Sequence, residues 1–381
     1  MIYLDNGATS FPKPAGVIQA VTRALERGGN PGRGGYGAAM DAANLVYDCR
    51  ETAGRLFHCQ PEQVVLTSNC THGLNIAIGS LVKPGAKVLI SGFEHNAVTR
   101  PLYARQADVR VAGRRLFDWE ELLECFQREL SRGVDVAVFT HVSNVFGYIL
   151  PVEELARLCR RAGVPFVVDA AQSAGTLPVD LLGWGAEFIA CPGHKGLLGP
   201  QGTGLLLCRQ PGVPLLYGGT GSQSRAKEMP QELPERLEAG TMNVPGAAGL
   251  AAGMRFLERE GIDRIYDQEH RQAMACARAL RDMGLRVFTG PHQASTVSFQ
   301  GEEDCETLAD YLASRGIAVR AGLHCAPLAH ESAGTLERGT VRVSFGHTAS
   351  DGQRTALLEA LAERLGRRKR QPVFPCENRK R

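Results

Sequence analysis

Short apolar runs alternate with amphipathic stretches from about residue 60 to residue 208, and this pattern limits the possible folds more than any other feature. The apolar runs QVVLTS, AKVLIS, VDVAVFTHVS, VPFVVDAA, AEFIACP and GTGLLLC have the length and composition of buried strands. Between them lie GLNIAIGSLV, WEELLECFQREL and VEELARLCRRAG, whose apolar residues recur at helical spacing. Buried strands that alternate with helices of about ten residues predict a mostly parallel sheet wrapped by helices, which is an α/β fold.

The sequence pattern changes after VPGAAGLAAGMRFLERE, where longer helical stretches replace the regular alternation. We therefore predict a large domain over residues 14–250 and a smaller α+β domain built from residues 1–13 and 251–366. Residues 367–381 have a charge of +6 within a total of +3 and are expected to form a disordered basic tail. No basic surface interleaved with aromatic residues accompanies this tail, so no nucleic-acid partner is expected.

Composition also limits the location of the protein and its metal chemistry. No run approaches the roughly 18 uncharged apolar residues that a membrane span requires, and MIYLDNGATSFPKP lacks the features of a secretory signal. A cytoplasmic location without a membrane partner is therefore expected. The 11 cysteines are scattered without a C-x-x-C pair, which indicates reduced thiols and no metal site.

Polar side chains suited to chemistry follow five of the predicted strands. In chain order they are Thr71, His95, Asn144, Asp169 with Gln172, and His194 with Lys195. In open α/β sheets, ligands bind outside the carboxyl ends of the strands, so these side chains are expected to share one site. The glycine-rich stretch GHKGLLGPQGTG is not a P-loop, because Gly196 follows the lysine in place of Ser or Thr. Its spacing also differs from the G-x-G-x-x-G dinucleotide fingerprint.

A lysine, a carboxylate at a strand end and a helix start suited to phosphate together indicate pyridoxal phosphate. This cofactor needs a lysine for a Schiff base, which suits Lys195, and a carboxylate that keeps its ring nitrogen protonated, which suits Asp169. The segment SNCTHGLN opens a helix whose free N–H groups and Thr71 hydroxyl could bind the phosphate. Stacking on the ring and hydrogen bonds to its oxygen could come from His95, Asn144 and Gln172.

The chain carries a series of motifs that closely resembles one family of pyridoxal phosphate enzymes. In order they are YLDNGATSFPKP, TSNCTHGLN, EHN, HVSNVFG, VDAAQ, GHKGLLGPQGTG, LEAGTMNVPG, AGLHCAPLAH and VRVSFGHT. They resemble the class V aminotransferase superfamily of fold type I, and within it the cysteine desulfurase and selenocysteine lyase family. The resemblance covers about nine-tenths of the chain, and its most specific part is DAAQ followed about twenty residues later by GHK.

The resemblance implies the fold-type I arrangement and a role for each matching residue. The implied catalytic residues are Lys195, Cys325 and His95. The implied cofactor-binding residues are Cys70, Thr71, His95, Asn144, Asp169, Gln172, His194, Lys195 and Thr241. The implied substrate-binding residues are Arg342, Arg320, Arg33 and Asn144. Arg342 would hold the substrate carboxylate as a bidentate fork. Thr241 would reach the phosphate of the neighbouring subunit, which implies a homodimer with composite sites.

Cys325, in the loop RAGLHCAPLAH, is implied to be the residue that accepts sulfur. Its loop position near Arg320 and His324 favours a partly exposed thiol whose thiolate is stabilised. Only 17 positions separate Cys325 from Arg342, a short connection that resembles the type II desulfurases. The resemblance thus implies conversion of L-cysteine to L-alanine, with a Cys325 persulfide that passes to an acceptor protein or reductant that the sequence does not identify.

Two departures from the family pattern affect the expected phosphate site. Pro192 stands where the family usually has Ser or Thr, and His72 stands where Glu is common. Three other functions stay open: a selenocysteine lyase, another class V aminotransferase or lyase for a different amino acid, and a protein that binds the cofactor without turnover. Cys325 argues against a transaminase, which needs no sulfur acceptor, and a protein without turnover would require Lys195 and Asp169 to be structural. The sequence does not choose between cysteine and selenocysteine.

Overall fold

The computed structural model describes residues 1–32 and 34–370, with side-chain surroundings as far as residue 366. Within these residues the strands are β1 (Ile2–Tyr3), β2 (Val64–Thr67), β3 (Lys87–Ser91), β4 (Asp108–Ala112), β5 (Val136–Thr140), β6 (Phe166–Asp169), β7 (Phe188–Pro192), β8 (Gly204–Cys208), β9 (Arg286–Phe288), β10 (Thr296–Gln300), β11 (Ile317–Ala318), β12 (Arg320–Gly322) and β13 (Thr340–Ser344). The α-helices are α1 (Ala15–Arg27), α2 (Gly37–Phe57), α3 (Cys70–Leu81), α4 (Asn96–Ala104), α5 (Trp119–Ser131), α6 (Val152–Ala162), α7 (Leu181–Trp184), α8 (Val244–Glu260), α9 (Ile262–Asp282), α10 (Cys305–Ser314), α11 (Pro327–Ala333) and α12 (Asp351–Arg370).

A seven-stranded sheet forms the centre of the molecule, with the strand order β2-β8-β7-β6-β5-β3-β4. The pairs from β7 through β4 are parallel, whereas β8 runs antiparallel to both β2 and β7. The predicted α/β fold with a mostly parallel sheet is therefore confirmed, and each of the six predicted strands is present. The sequence analysis missed β4, because DVRVA lies at the sheet edge and mixes charged with apolar residues instead of forming an apolar run.

The hydrophobic core lies on both faces of this sheet, because successive strand residues point to opposite sides. On β5, Phe139 packs in one cluster with Phe126 of α5, and their ring centroids are 6.0 Å apart. The preceding residue, Val138, belongs to a second cluster with Leu74 of α3 and Val98 of α4. Burial on both faces explains why the central strands appear in the sequence as continuous apolar runs.

A four-stranded antiparallel sheet of order β12-β13-β10-β9 follows in the C-terminal part of the chain. The N-terminal residues join this part, since β1 pairs in parallel with β11 and Asp5 forms a bridge with Ser344. The predicted domain boundary between residues 250 and 251 falls within α8, which packs on α1 and α2. The last helix, α12, continues to Arg370, beyond the predicted start of the basic tail. Residues 371–381 lie outside the described residues.

None of the helices in residues 1–32 and 34–370 combines the length and the hydropathy that crossing a membrane requires.

Candidate active site

The parallel strands bring most of the predicted site residues to one edge of the central sheet. β6 ends at Asp169, and β7 ends three residues before Lys195. His95 is the N-cap of α4, which follows β3, and Cys70 is the first residue of α3, which follows β2. Because β2, β3, β6 and β7 run in the same direction, the residues that follow them lie at the same edge.

Asp169 and Lys195 lie close enough to affect each other's ionisation. Burial is the largest cause that lowers the pKa of Lys195, and the guanidinium of Arg342 lowers it further. Burial raises the pKa of Asp169, while the N–H of Ala171, 2.9 Å from Oδ1, and the charge of Lys195 oppose this shift. The Cys70 thiol also donates to Asp169 Oδ1 at 3.5 Å. A lysine whose neutral amine is favoured, next to a buried carboxyl group, is suited to nucleophilic and proton-transfer chemistry.

His95 and His194 are neutral imidazoles at this edge. Burial, followed by the charge of Lys195, lowers the pKa of each to about 4. His95 Nδ1 accepts a hydrogen bond from the N–H of Ala97 at 3.0 Å, so the ring hydrogen of the neutral imidazole lies on Nε2. His194 Nδ1 and Asn144 Oδ1 are buried and have no hydrogen-bond partner among the described residues. Buried polar atoms normally have partners, so these two indicate a place where a ligand contributes hydrogen bonds.

The structure does not bring every predicted cofactor residue to Lys195. Gln172 shares with Lys195 a cavity of about 40 Å³. Thr71 is exposed in the first turn of α3. Thr241 is also exposed, and it lines a different cavity of about 190 Å³ to which Lys195 does not contribute. Arg33 lies outside the described residues.

The two arginines predicted to bind a carboxylate lie on neighbouring strands. Arg320 of β12 is exposed and stands opposite Arg342 of β13 in the strand register. The Arg342 side chain is only 1% exposed, and its guanidinium donates to Asp5 Oδ1 at 2.7 Å and to the carbonyl of Asn144 at 2.9 Å. Arg342 Nε is buried and has no hydrogen-bond partner within residues 1–32 and 34–366. Arg342 therefore already has one anionic neighbour, Asp5, which the sequence analysis did not identify although Asp5 belongs to the quoted motif YLDNGATSFPKP.

Cys325 is exposed in the loop between β12 and α11, where its φ of 57° lies in the left-handed region. Two hydrogen bonds tie this loop to the site. The Cys325 carbonyl accepts from the N–H of Asn96, the residue after His95, at 2.8 Å. The His324 carbonyl accepts from Asn144 Nδ2, also at 2.8 Å. A backbone held in this uncommon conformation by outside contacts is typical of functional positions.

The imidazole of His324 points into the protein and is uncharged near neutral pH. Its Nε2 lies 3.2 Å from both the carbonyl and the hydroxyl oxygens of Thr340. Burial, followed by the charge of Arg342, lowers the pKa of His324 to about 2. A positive charge on His324 therefore cannot stabilise the Cys325 thiolate near neutral pH, and that part of the sequence prediction is wrong.

Both residues that depart from the family pattern, Pro192 and His72, have defined positions in the structure. Pro192 is the buried last residue of β7 and is paired with Gly204 of β8. His72 accepts a hydrogen bond at Nδ1 from the N–H of Ser68 at 3.3 Å. It lines the same cavity as Thr241. His72 is thus fixed at the N-terminus of α3, on the side of Thr241.

A buried ion pair anchors the segment that leads to Thr241. The guanidinium of Arg50 in α2 donates to both carboxylate oxygens of Glu238, at 2.6 and 2.8 Å. Glu238 Oε1 also accepts from the N–H of Leu66 in β2 at 2.6 Å. Both charged side chains are less than a tenth exposed. The pair therefore joins α2, β2 and the LEAGT segment.

We expect Glu238→Ala to lower the free energy of unfolding by about 3–5 kcal/mol, because loss of one partner leaves the other charge buried and unpaired. Urea titration measures this effect. The exposed pair of Arg157 and Glu154 provides the control, since Glu154→Ala should change the same quantity by less than about 1 kcal/mol. Similar effects of the two substitutions would contradict the anchoring role.

The residues at this edge fit pyridoxal phosphate. Lys195 and Asp169 supply the amine and the carboxyl group that the cofactor requires. The unpartnered Asn144 Oδ1 and His194 Nδ1 can contact its polar groups, and the start of α3 offers free N–H groups for a phosphate. Within the part of the chain that the structure describes, no group of three or more His, Cys, Asp or Glu residues could hold a metal ion.

Comparisons with known proteins agree with this chemistry. The family model for class V aminotransferases matches residues 2–353. A probable cysteine desulfurase from Methanothermobacter thermautotrophicus is 32% identical over 96% of this chain and 95% of its own length. Another from Pyrococcus abyssi is 34% identical over 91% and 89%, respectively. The apo structure of a cysteine desulfurase from Thermococcus onnurineus is 31% identical and superposes with a TM-score of 0.88 over 96% of this chain and 94% of that one. The chain therefore belongs to the class V aminotransferase family, with pyridoxal phosphate as its cofactor, and its resemblance to the cysteine desulfurases of that family is confirmed.

Proposed function

We propose that this protein is a cysteine desulfurase, which converts L-cysteine to L-alanine and retains the sulfur on Cys325. One observation carries the proposal: the exposed Cys325 loop is hydrogen-bonded to Asn96 and Asn144 at the edge that holds Lys195 and Asp169. The names of the similar proteins support it. Incubation of the purified protein with L-cysteine and a thiol reductant, which releases the persulfide sulfur as sulfide, tests it, with alanine and sulfide as the measured products.

Each residue proposed to hold the cofactor would make a different contact with it. Lys195 would hold it covalently, and Asp169 would keep a proton on its ring nitrogen. The other contacts would come from Cys70, Thr71, His95, Asn144, Gln172 and His194. When bound, pyridoxal phosphate would supply an electron sink that makes the Cα–H group of the amino acid acidic. Neutral His95 would contribute a flat ring without a charge.

Lys195 would transfer the proton of the substrate Cα atom. Its lowered pKa favours the neutral amine, which can remove a proton from the Cα atom of L-cysteine. Asp169 is buried beside Lys195 and would keep the proton on the ring nitrogen of the cofactor. The two groups thus have separate roles in one proton-transfer site.

Arg342 would bind the carboxylate of the substrate while it stays paired with Asp5. A guanidinium has five N–H donors, and Asp5 and the carbonyl of Asn144 take only two of them. Arg320, exposed on the neighbouring strand, would add a second cation. Asn144 and Arg33 complete the proposed substrate set.

Cys325 would carry out the sulfur transfer. Its thiolate would attack the sulfur atom of the substrate, so that a new S–S bond forms as the Cβ–S bond breaks. The electron pair of the broken bond would pass to the carbon fragment, which would take up one proton at Cβ, regain a proton at Cα from Lys195 and leave as L-alanine. The outer sulfur of the persulfide would then pass to an acceptor protein or reductant. Thiolates are strong nucleophiles, which suits an exposed cysteine for this role.

Selenocysteine is the second substrate that the same site could accept. Cleavage of its C–Se bond needs no capture by a thiol, so selenocysteine lyase activity would depend on Lys195 and Asp169 alone. A comparison of L-cysteine and L-selenocysteine turnover in one preparation distinguishes the two substrates. Turnover of other amino acids without sulfur release would instead indicate a different class V reaction.

We also propose that the protein acts as a homodimer in the cytoplasm. Large apolar side chains face solvent in the single chain, and a second copy would cover some of them: Tyr36, Met40, Tyr47, Leu216 and Tyr217 are each more than half exposed. Thr241 lines a cavity that Lys195 of the same chain does not reach, as expected if it serves the partner's site. The ten cysteines among the described residues are all free, which suits a reducing compartment.

Mixed dimers test the proposed action of Thr241 across the interface. Lys195→Ala and Thr241→Ala are each expected to be nearly inactive alone. In a mixed dimer one site would carry both substitutions and the other would be intact. A randomly exchanged equal mixture should therefore recover about one quarter of the wild-type activity. Activity that stays at the mean of the two parents, or a protein that sediments as a monomer, would contradict the proposal.

A further inference from the structure

The carbonyl oxygen of His194 receives an unusual number of hydrogen bonds. Three residues of the N-terminal segment, defined here as residues 4–13, donate to it. They are Thr9 Oγ1 at 3.0 Å, the N–H and hydroxyl of Ser10 at 3.0 and 3.1 Å, and Lys13 Nζ at 2.8 Å. A carbonyl oxygen has two lone pairs. Four donors directed at one oxygen exceed that number, and together they hold the oxygen more firmly than usual.

The position of this carbonyl matters because it belongs to the peptide that joins His194 to Lys195. A peptide unit is planar, so its oxygen, its nitrogen and the two flanking Cα atoms move together. Fixing the oxygen of His194 therefore fixes the Cα atom from which the Lys195 side chain extends. The same segment also contacts two other site residues, since Gly7 O accepts from Gln172 Nε2 at 3.0 Å and Asp5 pairs with Arg342.

Lys13 contributes a charge to this arrangement. Its ammonium is half-buried and also donates to Ser10 Oγ at 2.7 Å. Among the described residues it has no carboxylate partner, and burial lowers its pKa to about 8. The charge of Lys13 lowers the pKa of two ionisable groups. These are His194, in the turn after β7, and His347, which follows β13. A half-buried ammonium without a counterion is less favourable than one in water, so stability does not explain why Lys13 lies here.

We propose that Lys13 is a positioning residue for Lys195: its ammonium, with Thr9 and Ser10, fixes the preceding peptide and so sets the place from which the Lys195 amine acts. This inference rests on the proposed function of Lys195. It gives the N-terminal segment a defined part in the reaction, through the peptide that joins His194 to Lys195.

The test compares Lys13→Met, which removes the charge and the donor, with Lys13→Arg, which restores both. Lys83→Met is the matched control, because Lys83 is exposed and lies beyond the C-terminal end of α3, whose N-terminal end is at the site. The rate at which pyridoxal phosphate attaches to Lys195 is measured in each full-length apoprotein by borohydride reduction and peptide mapping. Turnover of L-cysteine and the unfolding temperature are measured in parallel.

We expect Lys13→Met to slow both attachment and kcat by about 10- to 100-fold, because a small displacement of a reacting group has a large effect on rate. The KM for L-cysteine should change by less than about threefold, since substrate binding does not use Lys13. The unfolding temperature should not fall, because the substitution removes a charge whose burial opposes folding. Lys13→Arg should restore most of the attachment rate.

Three results would overturn the inference: a Lys13→Met protein that attaches the cofactor as fast as Lys83→Met, a Lys13→Arg protein as slow as Lys13→Met, or a loss explained by a lower unfolding temperature alone. Lys195→Ala is treated in the same way. If it still acquires the covalent attachment, the proposed role of Lys195 fails. If it loses the attachment while Lys13→Met behaves as wild type, only the inference about Lys13 fails.

Discussion

Lys195→Ala is expected to lose the borohydride-stable attachment of pyridoxal phosphate and to lower kcat for L-cysteine by about 10²- to 10⁴-fold. This is the range by which the rate falls when a general acid–base group is removed. The reason is the place of Lys195, where burial and Arg342 favour a neutral amine next to Asp169. The attachment is measured by the mass of the peptide that contains residue 195 after borohydride treatment, and kcat by alanine release.

Lys83→Ala is the control for this substitution, because it removes an exposed lysine away from the site. It should leave both the attachment and the turnover at wild-type values. Noncovalent cofactor can remain in Lys195→Ala, since the cofactor contacts proposed for Thr71 and His194 are intact. Covalent attachment at another lysine in Lys195→Ala, together with retained turnover, would refute the assignment.

Cys325→Ser is expected to reduce sulfur release from L-cysteine to near the background rate. A serine hydroxyl keeps the size and polarity of the side chain, but it is not ionised near neutral pH and cannot replace a thiolate. Cofactor attachment should persist, because Lys195 and Asp169 are unchanged. Cleavage of L-selenocysteine should also persist to a large extent, since that reaction needs no sulfur acceptor. The measurement is the ratio of alanine formation from the two substrates.

Cys125→Ser serves as the comparison, because Cys125 is a partly exposed thiol on α5 outside the proposed site. It should have no effect on either substrate. Full desulfurase activity in Cys325→Ser would remove Cys325 from the mechanism and would favour a general class V lyase.

The central sheet could be predicted from sequence because its strands are buried on both faces and so appear as apolar runs. The edge strand β4 lacks this pattern and was missed. The same logic placed Asp169 and Lys195 at one edge, since strand direction in a parallel sheet determines where the following residues lie. Local sequence was thus sufficient wherever burial and strand direction alone decide the position.

Contacts between distant parts of the chain could not be predicted in this way. Asp5 meets Arg342 across 337 positions, and Lys13 meets the carbonyl of His194 across 181 positions. The charge state of His324 depends on how deeply its ring is packed, which neighbouring residues in the sequence do not reveal. These features depend on how the N-terminal segment and the C-terminal sheet pack against the central sheet.

The mass of the Cys325 peptide shows directly whether Cys325 accepts the sulfur of L-cysteine. The wild-type holoprotein is exposed briefly to L-cysteine, alkylated without reductant and digested. We expect one additional sulfur atom on Cys325, in an amount that matches the alanine formed in the first turnover. Alanine formation without added sulfur on Cys325, or added sulfur only on another cysteine, would contradict this expectation.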